Sequence, residues 1–185
     1  MQLKQLTGMH EEAGHVVYAQ AGVRLPRLMQ FAVGHHLSGM EWAAGIPGTV
    51  GGSVVMNAGT RLGEMQEVLH AVDLVNLRGH RVRVEASNIS FAYRKATLPK
   101  GIVVGAWVQL ALSNKEQVEA TTKTYLQYRR ETQPLTLPNA GSVFKNPPGD
   151  SAGRLVEAAG LKGVRIGDAE ARERLAQAEA QATLV

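Results

Sequence analysis

Residues 45–52, GIPGTVGG, hold four glycines and a proline in eight positions, and the apolar run SVVMNAG follows at once. Glycine accepts positive φ and removes the side chain, so such a stretch can let successive backbone N–H groups converge on an anion such as a pyrophosphate. Thr49 adds a hydroxyl donor, SVVMNAG an apolar wall, and Asn57 an amide that could face a flat ring. The GK[ST] ending of a Walker loop is missing, and the spacing differs from that of the dinucleotide fingerprint. On the residues alone, a phosphate cradle and a tight connection of purely structural purpose both stay open. Three further blocks could carry chemistry. SFAYRKA puts Tyr93 and Arg94 at the end of a strand. PNAGSVFKNP sets Ser142 between Gly141 and an apolar pair, with Lys145 and Asn146 beyond. AGRLVEAAGLKG follows directly.

The elements that must position these residues are read from periodicity. HVVYAQAG (15–22) predicts a β-branched strand ending at Gly22, and LPRLMQFAVGHH (25–36) a helix with Pro26 in its first turn. From 67 to 92 the chain alternates around Arg78-Gly79, the pattern of a hairpin. GIVVGAWVQLALS (101–113) predicts another strand, and a polar helix is expected from about Lys115 to Arg130. ETQPLTLPNAGS then ends the helix with two prolines and marks the candidate hinge. SAGRLVEAAGLKG reads as a short helix closed by Gly160, and the Ala/Glu/Arg/Gln-rich last 16 residues as a further helix.

Composition narrows the classes. With 185 residues, 44% of them hydrophobic, the chain can bury one core, or one medium domain and part of a second. It has no cysteine, which removes disulfides and thiolate metal sites and suits a reducing cytoplasm. MQLKQLTGMHEEAGHVVYAQ lacks the apolar core of a signal peptide and no later run could span a bilayer, so the expectation is a soluble cytoplasmic protein without membrane contact. The net charge of +4 comes from scattered Lys and Arg, and only 5% of residues are aromatic. That argues against nucleic acid and for a small phosphorylated ligand. His35 and His36 have no partners at metal-ligand spacing; they read as a helix end facing water, and no metal is implied.

In order and wording these four blocks, with LSGMEWAAGIPGTVGGSVVMNAG the most typical, resemble the UDP-N-acetylenolpyruvoylglucosamine reductase (UDP-N-acetylmuramate dehydrogenase) family between about His15 and Asp168. The resemblance implies an enzyme in which NADPH reduces a noncovalently held FAD, and the flavin then reduces the enolpyruvyl group of a UDP-sugar in peptidoglycan synthesis. It implies that Arg94 holds the substrate carboxylate and Ser142 is the acid that protonates the neighbouring carbon. It further implies that Gly45, Ile46, Pro47, Gly48, Thr49, Gly51 and Gly52, with Asn57 and Gly59, line FAD, and that Tyr93, Lys145 and Asn146 face the UDP-sugar. The fold it implies is α+β: an incomplete FAD-binding lobe with a mixed sheet (1–113), a connecting helix and hinge (114–136), and a shortened α+β substrate-binding lobe (137–185).

Departures from the family wording accompany the matches. The family chain is longer at its amino end, where another lobe brings a second glycine-rich loop to the FAD phosphates. After GLKGVRIGDA it carries a Ser-x-x-His-Ala-Asn-Phe pattern and then a catalytic glutamate, whereas here Leu175, Gln177 and Ala178 stand at the His, Asn and Phe positions. Ala96 replaces a serine common after the Tyr-Arg-x of the family. The chain therefore reads as a family member truncated at both ends, with self-association expected through the edge that the absent lobe would cover. An active reductase and a remnant with at most weak flavin or UDP-sugar binding are the two functional readings.

Overall fold

The computed structural model describes residues 3–60, 62–132 and 143–171. The chain forms two compact units, Met1–Tyr125 and Leu126–Val185. In the first, β1 (Met9–Glu12), β2 (Val16–Gln20), β6 (Leu69–Asn76), β7 (Arg81–Glu85) and β10 (Gly101–Gln109) form one sheet in the order β1-β2-β10-β6-β7. Every pairing in it is antiparallel, so the mixed sheet expected from the sequence is corrected. The cause is the route of the chain. Residues 21–68 carry it from β2 to β6 in the same strand direction, and β10 later returns between the two, antiparallel to both.

That long connection holds the site elements. It runs through α1 (Leu25–Gly34), β3 (Leu37–Ser38), a 3-10 turn at Glu41–Ala43, α2 (Val50–Val55), β4 (Gly59–Thr60), β5 (Gly63–Glu64) and α3 (Met65–Val68). Pro26 lies in the first turn of α1, where its missing N–H has no cost, and Leu25, Leu28, Met29 and Ala32 bury one helical face. His35 closes the helix in the open, stacked on Phe31 and hydrogen bonded to Glu11. β8 (Ser90–Ala92) and β9 (Lys95–Thr97) form a small hairpin after β7, and β11 (Ala111–Leu112) pairs with β3. The expected hairpin at Arg78-Gly79 joins β6 to β7: Gly79 has φ +81, and Asn76 Oδ1 accepts from the N–H of Arg78 and His80.

Alternation sorts the sheet into two faces. Val17, Ala19, Val72, Leu74, Ala106 and Val108 join Leu25, Leu28, Val50, Val54 and Met65 in one buried apolar core. On the opposite face Tyr18, Asp73 and Trp107 stand together. Tyr18 donates to Asp73 Oδ2 at 2.7 Å, and Arg81 grips both Asp73 oxygens from β7. Gly105 is required beneath them, because a Cβ there would lie 2.4 Å from the Tyr18 hydroxyl. Arg83 covers the Trp107 ring at 4.4 Å, and the indole N–H reaches Glu12.

The helix α4 spans Lys115–Thr132. In the second unit, α5 (Ala152–Ala158) is followed by the short hairpin of β12 (Arg165–Ile166) and β13 (Ala169–Glu170). Gly160, at φ +68, ends the α5 turn as the sequence led one to expect. The expected hinge lies almost wholly outside the described residues. The helix expected over the last 16 residues is corrected at its start, where Glu170 pairs with Arg165 in β13, and from residue 172 it lies outside the described residues. No helix among those described is long and apolar enough to cross a membrane.

Candidate functional site

The glycine stretch is stitched to the chain just after β2. Leu25 N–H donates to Gly48 O, Val50 N–H to Val23 O and Gly51 N–H to Ala21 O, at 3.1, 2.9 and 3.0 Å. These bonds flank the antiparallel bridge Arg24↔Thr49 and hold the corner from Gly48 to Gly52 rigidly against the sheet. They also separate the glycines by role. A Cβ on Gly51 would lie 2.8 Å from the Ala21 Cβ, and one on Gly59 would lie 2.4 Å from the Glu64 Cβ; the protein's own packing demands glycine at both. Gly48, at φ +140, has open space where a Cβ would stand, and the nearest atom to a Cβ on Gly52 is the Thr49 hydroxyl at 3.7 Å. Gly45 turns the chain at φ +73, and Ile46 packs on the core beside the exposed Pro47.

The hydrogen-bond inventory of this corner fits an anionic ligand. Among the described residues the amides of Gly48, Thr49 and Gly52 have no acceptor, and the Thr49 hydroxyl caps nothing. Arg24 and Thr49 form a pair without mutual hydrogen bonds, the arrangement that brings two cross-strand side chains closest. Arg24 is exposed and makes no ion pair among the described residues. Sequence reasoning missed it, because only the pairing of residue 24 with residue 49 gives it meaning.

Tyr93 and Arg94 form the two-residue turn between β8 and β9, where the sequence suggested a strand end. Arg94 takes φ +56, unusual for a side-chain-bearing residue. Its guanidinium donates to Gly59 O at 2.8 Å and lies 5.0 Å from the ring centre of Tyr93, which is 52% exposed. Asn57, fully buried at φ +39, follows α2. Its Oδ1 accepts from Gln66 N–H at 3.0 Å and its Nδ2 donates to Ala92 O at 3.4 Å. The structure thus brings Asn57, Gly59, Tyr93 and Arg94 together beside the glycine corner.

In the second unit Asn146 Oδ1 accepts from Ala152 N–H at 3.0 Å, holding the start of α5 jointly with Ser151, whose hydroxyl accepts from Arg154 N–H. The neighbouring Asp150 carboxyl is drawn down to about 2 by its hydrogen bonds to the Arg154 guanidinium and, next, the Ser151 N–H. Lys145 is exposed. Ser142 and Gly141 lie outside the described residues. No cluster of His, Asp and Glu able to hold a metal occurs among those described.

Comparison with known proteins finds two family matches along the chain. Residues 1–85 match the FAD binding domain family, and residues 133–179 the family of UDP-N-acetylenolpyruvoylglucosamine reductase, C-terminal domain. A UDP-N-acetylenolpyruvoylglucosamine reductase from Moorella thermoacetica is 46% identical over 87% of this chain and 54% of its own. One from Anaeromyxobacter sp. (strain Fw109-5) is 48% identical over 88% of this chain and 52% of its own. The chain spans about half the length of the curated relatives it matches. The crystal structure of UDP-N-acetylenolpyruvylglucosamine reductase from Thermus caldophilus superposes with a TM-score of 0.75 at 38% identity, over 90% of this chain and 66% of that one. The two family matches take in the glycine corner and the C-terminal block, and the relatives carry one name: the chain belongs to the UDP-N-acetylenolpyruvoylglucosamine reductase family.

Proposed function

We propose that this chain acts in the NADPH-dependent reduction of UDP-N-acetylenolpyruvoylglucosamine to UDP-N-acetylmuramate, a cytoplasmic step of peptidoglycan precursor synthesis. The observation that carries the reading is the glycine corner, whose three amides without acceptors and one hydroxyl stand beside a turn that holds an arginine. Gly45, Ile46, Pro47, Gly48, Thr49 and Gly52 would hold FAD, with Arg24 adding positive charge beside Thr49, while Gly51 and Gly59 keep the corner close to its neighbours. Bound there, FAD supplies the hydride chemistry that side chains lack. Arg94 would hold the enolpyruvyl carboxylate and stabilise the negative charge that develops on it. Ser142 would deliver the proton to the adjacent carbon, and Tyr93, Lys145 and Asn146 would contact the UDP-sugar.

The test is the visible spectrum of the purified chain with added FAD, followed anaerobically through NADPH bleaching with and without UDP-N-acetylenolpyruvoylglucosamine. A bound-flavin spectrum that bleaches and is reoxidised by the UDP-sugar supports the reading. Absence of bound flavin would leave a family member without the reductase reaction. In the active case Ser142→Ala should leave flavin reduction by NADPH intact and abolish reoxidation by the UDP-sugar; equal loss of both half-reactions would refute the acid role.

A further inference from the structure

We propose that Asn57 is a positioning residue: its carboxamide ties the Tyr93–Arg94 turn to the end of the glycine corner and thereby sets where the Arg94 guanidinium stands. The proposal rests on the reading of Arg94 as the group that holds the substrate carboxylate. Asn57 is fully buried, and both ends of its amide are engaged within the chain. A backbone N–H can only donate, so the bond from Gln66 fixes which end is oxygen and leaves Nδ2 toward Ala92 O. Ala92 is the last residue of β8, directly before the turn. From the other side, Arg94 itself reaches back to Gly59 O, two residues past Asn57. The turn is gripped at its backbone and through its own side chain, both times by the segment 57–59.

The residue types suit this task. At φ +39 the backbone of residue 57 favours Gly or Asn, and only Asn adds an amide with a donor and an acceptor. Arg94 carries a second left-handed backbone at φ +56, a conformation that persists where surrounding contacts hold it. A planar guanidinium recognises a carboxylate through a fork of fixed geometry, so a small rotation of the turn would misalign it. One chain partner at each end of the amide fixes the plane and orientation of the Asn57 carboxamide.

Asn57→Asp keeps the acceptor for Gln66 and removes the donor to Ala92; Asn57→Gly keeps the backbone conformation and removes both. Each is compared with the parent by amide hydrogen exchange over residues 90–97, by the Arg94 Nε–Hε resonance, and by FAD titration. The expected result is about fivefold or greater acceleration of exchange in the turn and a displaced Arg94 resonance. Unchanged exchange and resonance, or loss of FAD affinity with the turn intact, would overturn the proposal. Should both variants fail to fold, the parent decides: slow exchange of the Asn57 side-chain amide supports it, and solvent-like exchange refutes it. Titration of the parent with UDP-N-acetylenolpyruvoylglucosamine, against UDP-N-acetylglucosamine lacking the carboxylate, tests the Arg94 reading separately through its Nε–Hε shift.

Discussion

At Asp73 a carboxylate is buried almost completely within a sheet, and its chemistry can be worked out from its neighbours. Burial opposes its ionisation, but the Arg81 guanidinium and the Tyr18 hydroxyl outweigh burial and hold its carboxyl below the usual carboxylate range. Tyr18 in turn is pushed up to about 12, by burial first and then by its bond to Asp73, so it remains a donor at neutral pH. A folded-state value below the unfolded one means stability that is present above the unfolded value, near pH 4, and lost as pH falls through the folded one. Arg81 is largely exposed, which discounts the ion pair, and about 1–2 kcal/mol is expected at neutral pH. Asp73→Asn should therefore lower stability by that amount at pH 7, and its deficit should shrink below about pH 4 in acid-dependent denaturation curves. Arg24, across the bridge from Thr49, has a different measurable consequence. Arg24→Glu should weaken FAD binding about tenfold or more while leaving riboflavin binding unchanged, since only FAD presents phosphates.

The corner from Gly48 to Gly52 shows how an element assigns different duties to identical residues. Gly51 faces Ala21, while Gly52, one position on, faces the Thr49 hydroxyl across an ordinary contact distance. Gly51→Ala should cost about 1–3 kcal/mol by overpacking, read from urea denaturation. Gly52→Ala sits in α2 with room for a methyl group, so it should preserve or slightly raise stability. Added bulk beside the unengaged amides should nevertheless weaken flavin binding in a parallel FAD titration. Equal stability losses for the two variants would contradict the division.

Across the whole molecule, burial is unevenly distributed. The first unit contains the entire apolar core described, whereas in the second only Ser151 is buried among the described residues, and Val143, Phe144, Leu155, Leu161, Val164 and Ile166 are exposed. Local stability follows buried apolar contact, so the units should not unfold together. Trp42 and Trp107 both lie in the first unit. Thermal unfolding followed by Trp fluorescence should have its midpoint above that of the earliest loss of far-UV helical signal, to which α5 contributes. Coincident transitions by the two probes would indicate one cooperative body.

Much of this protein was legible in its sequence because the relevant signals are local. The alternation of VVYAQ, the apolar spacing of Leu25, Leu28, Met29 and Ala32, and the Arg78-Gly79 turn each depend on residues a few positions apart, and each element stands where its pattern placed it. The wording of the glycine corner and the Tyr-Arg turn likewise sufficed to indicate the family. Tertiary structure alone decided the partners. Ala21 against Gly51, Arg24 beside Thr49, Asn57 on Ala92, and β10 entering antiparallel between β2 and β6 are contacts between residues far apart in the chain. A glycine that clears space for a ligand and one that clears space for an alanine look the same in sequence, because the difference lies in the atom each one faces.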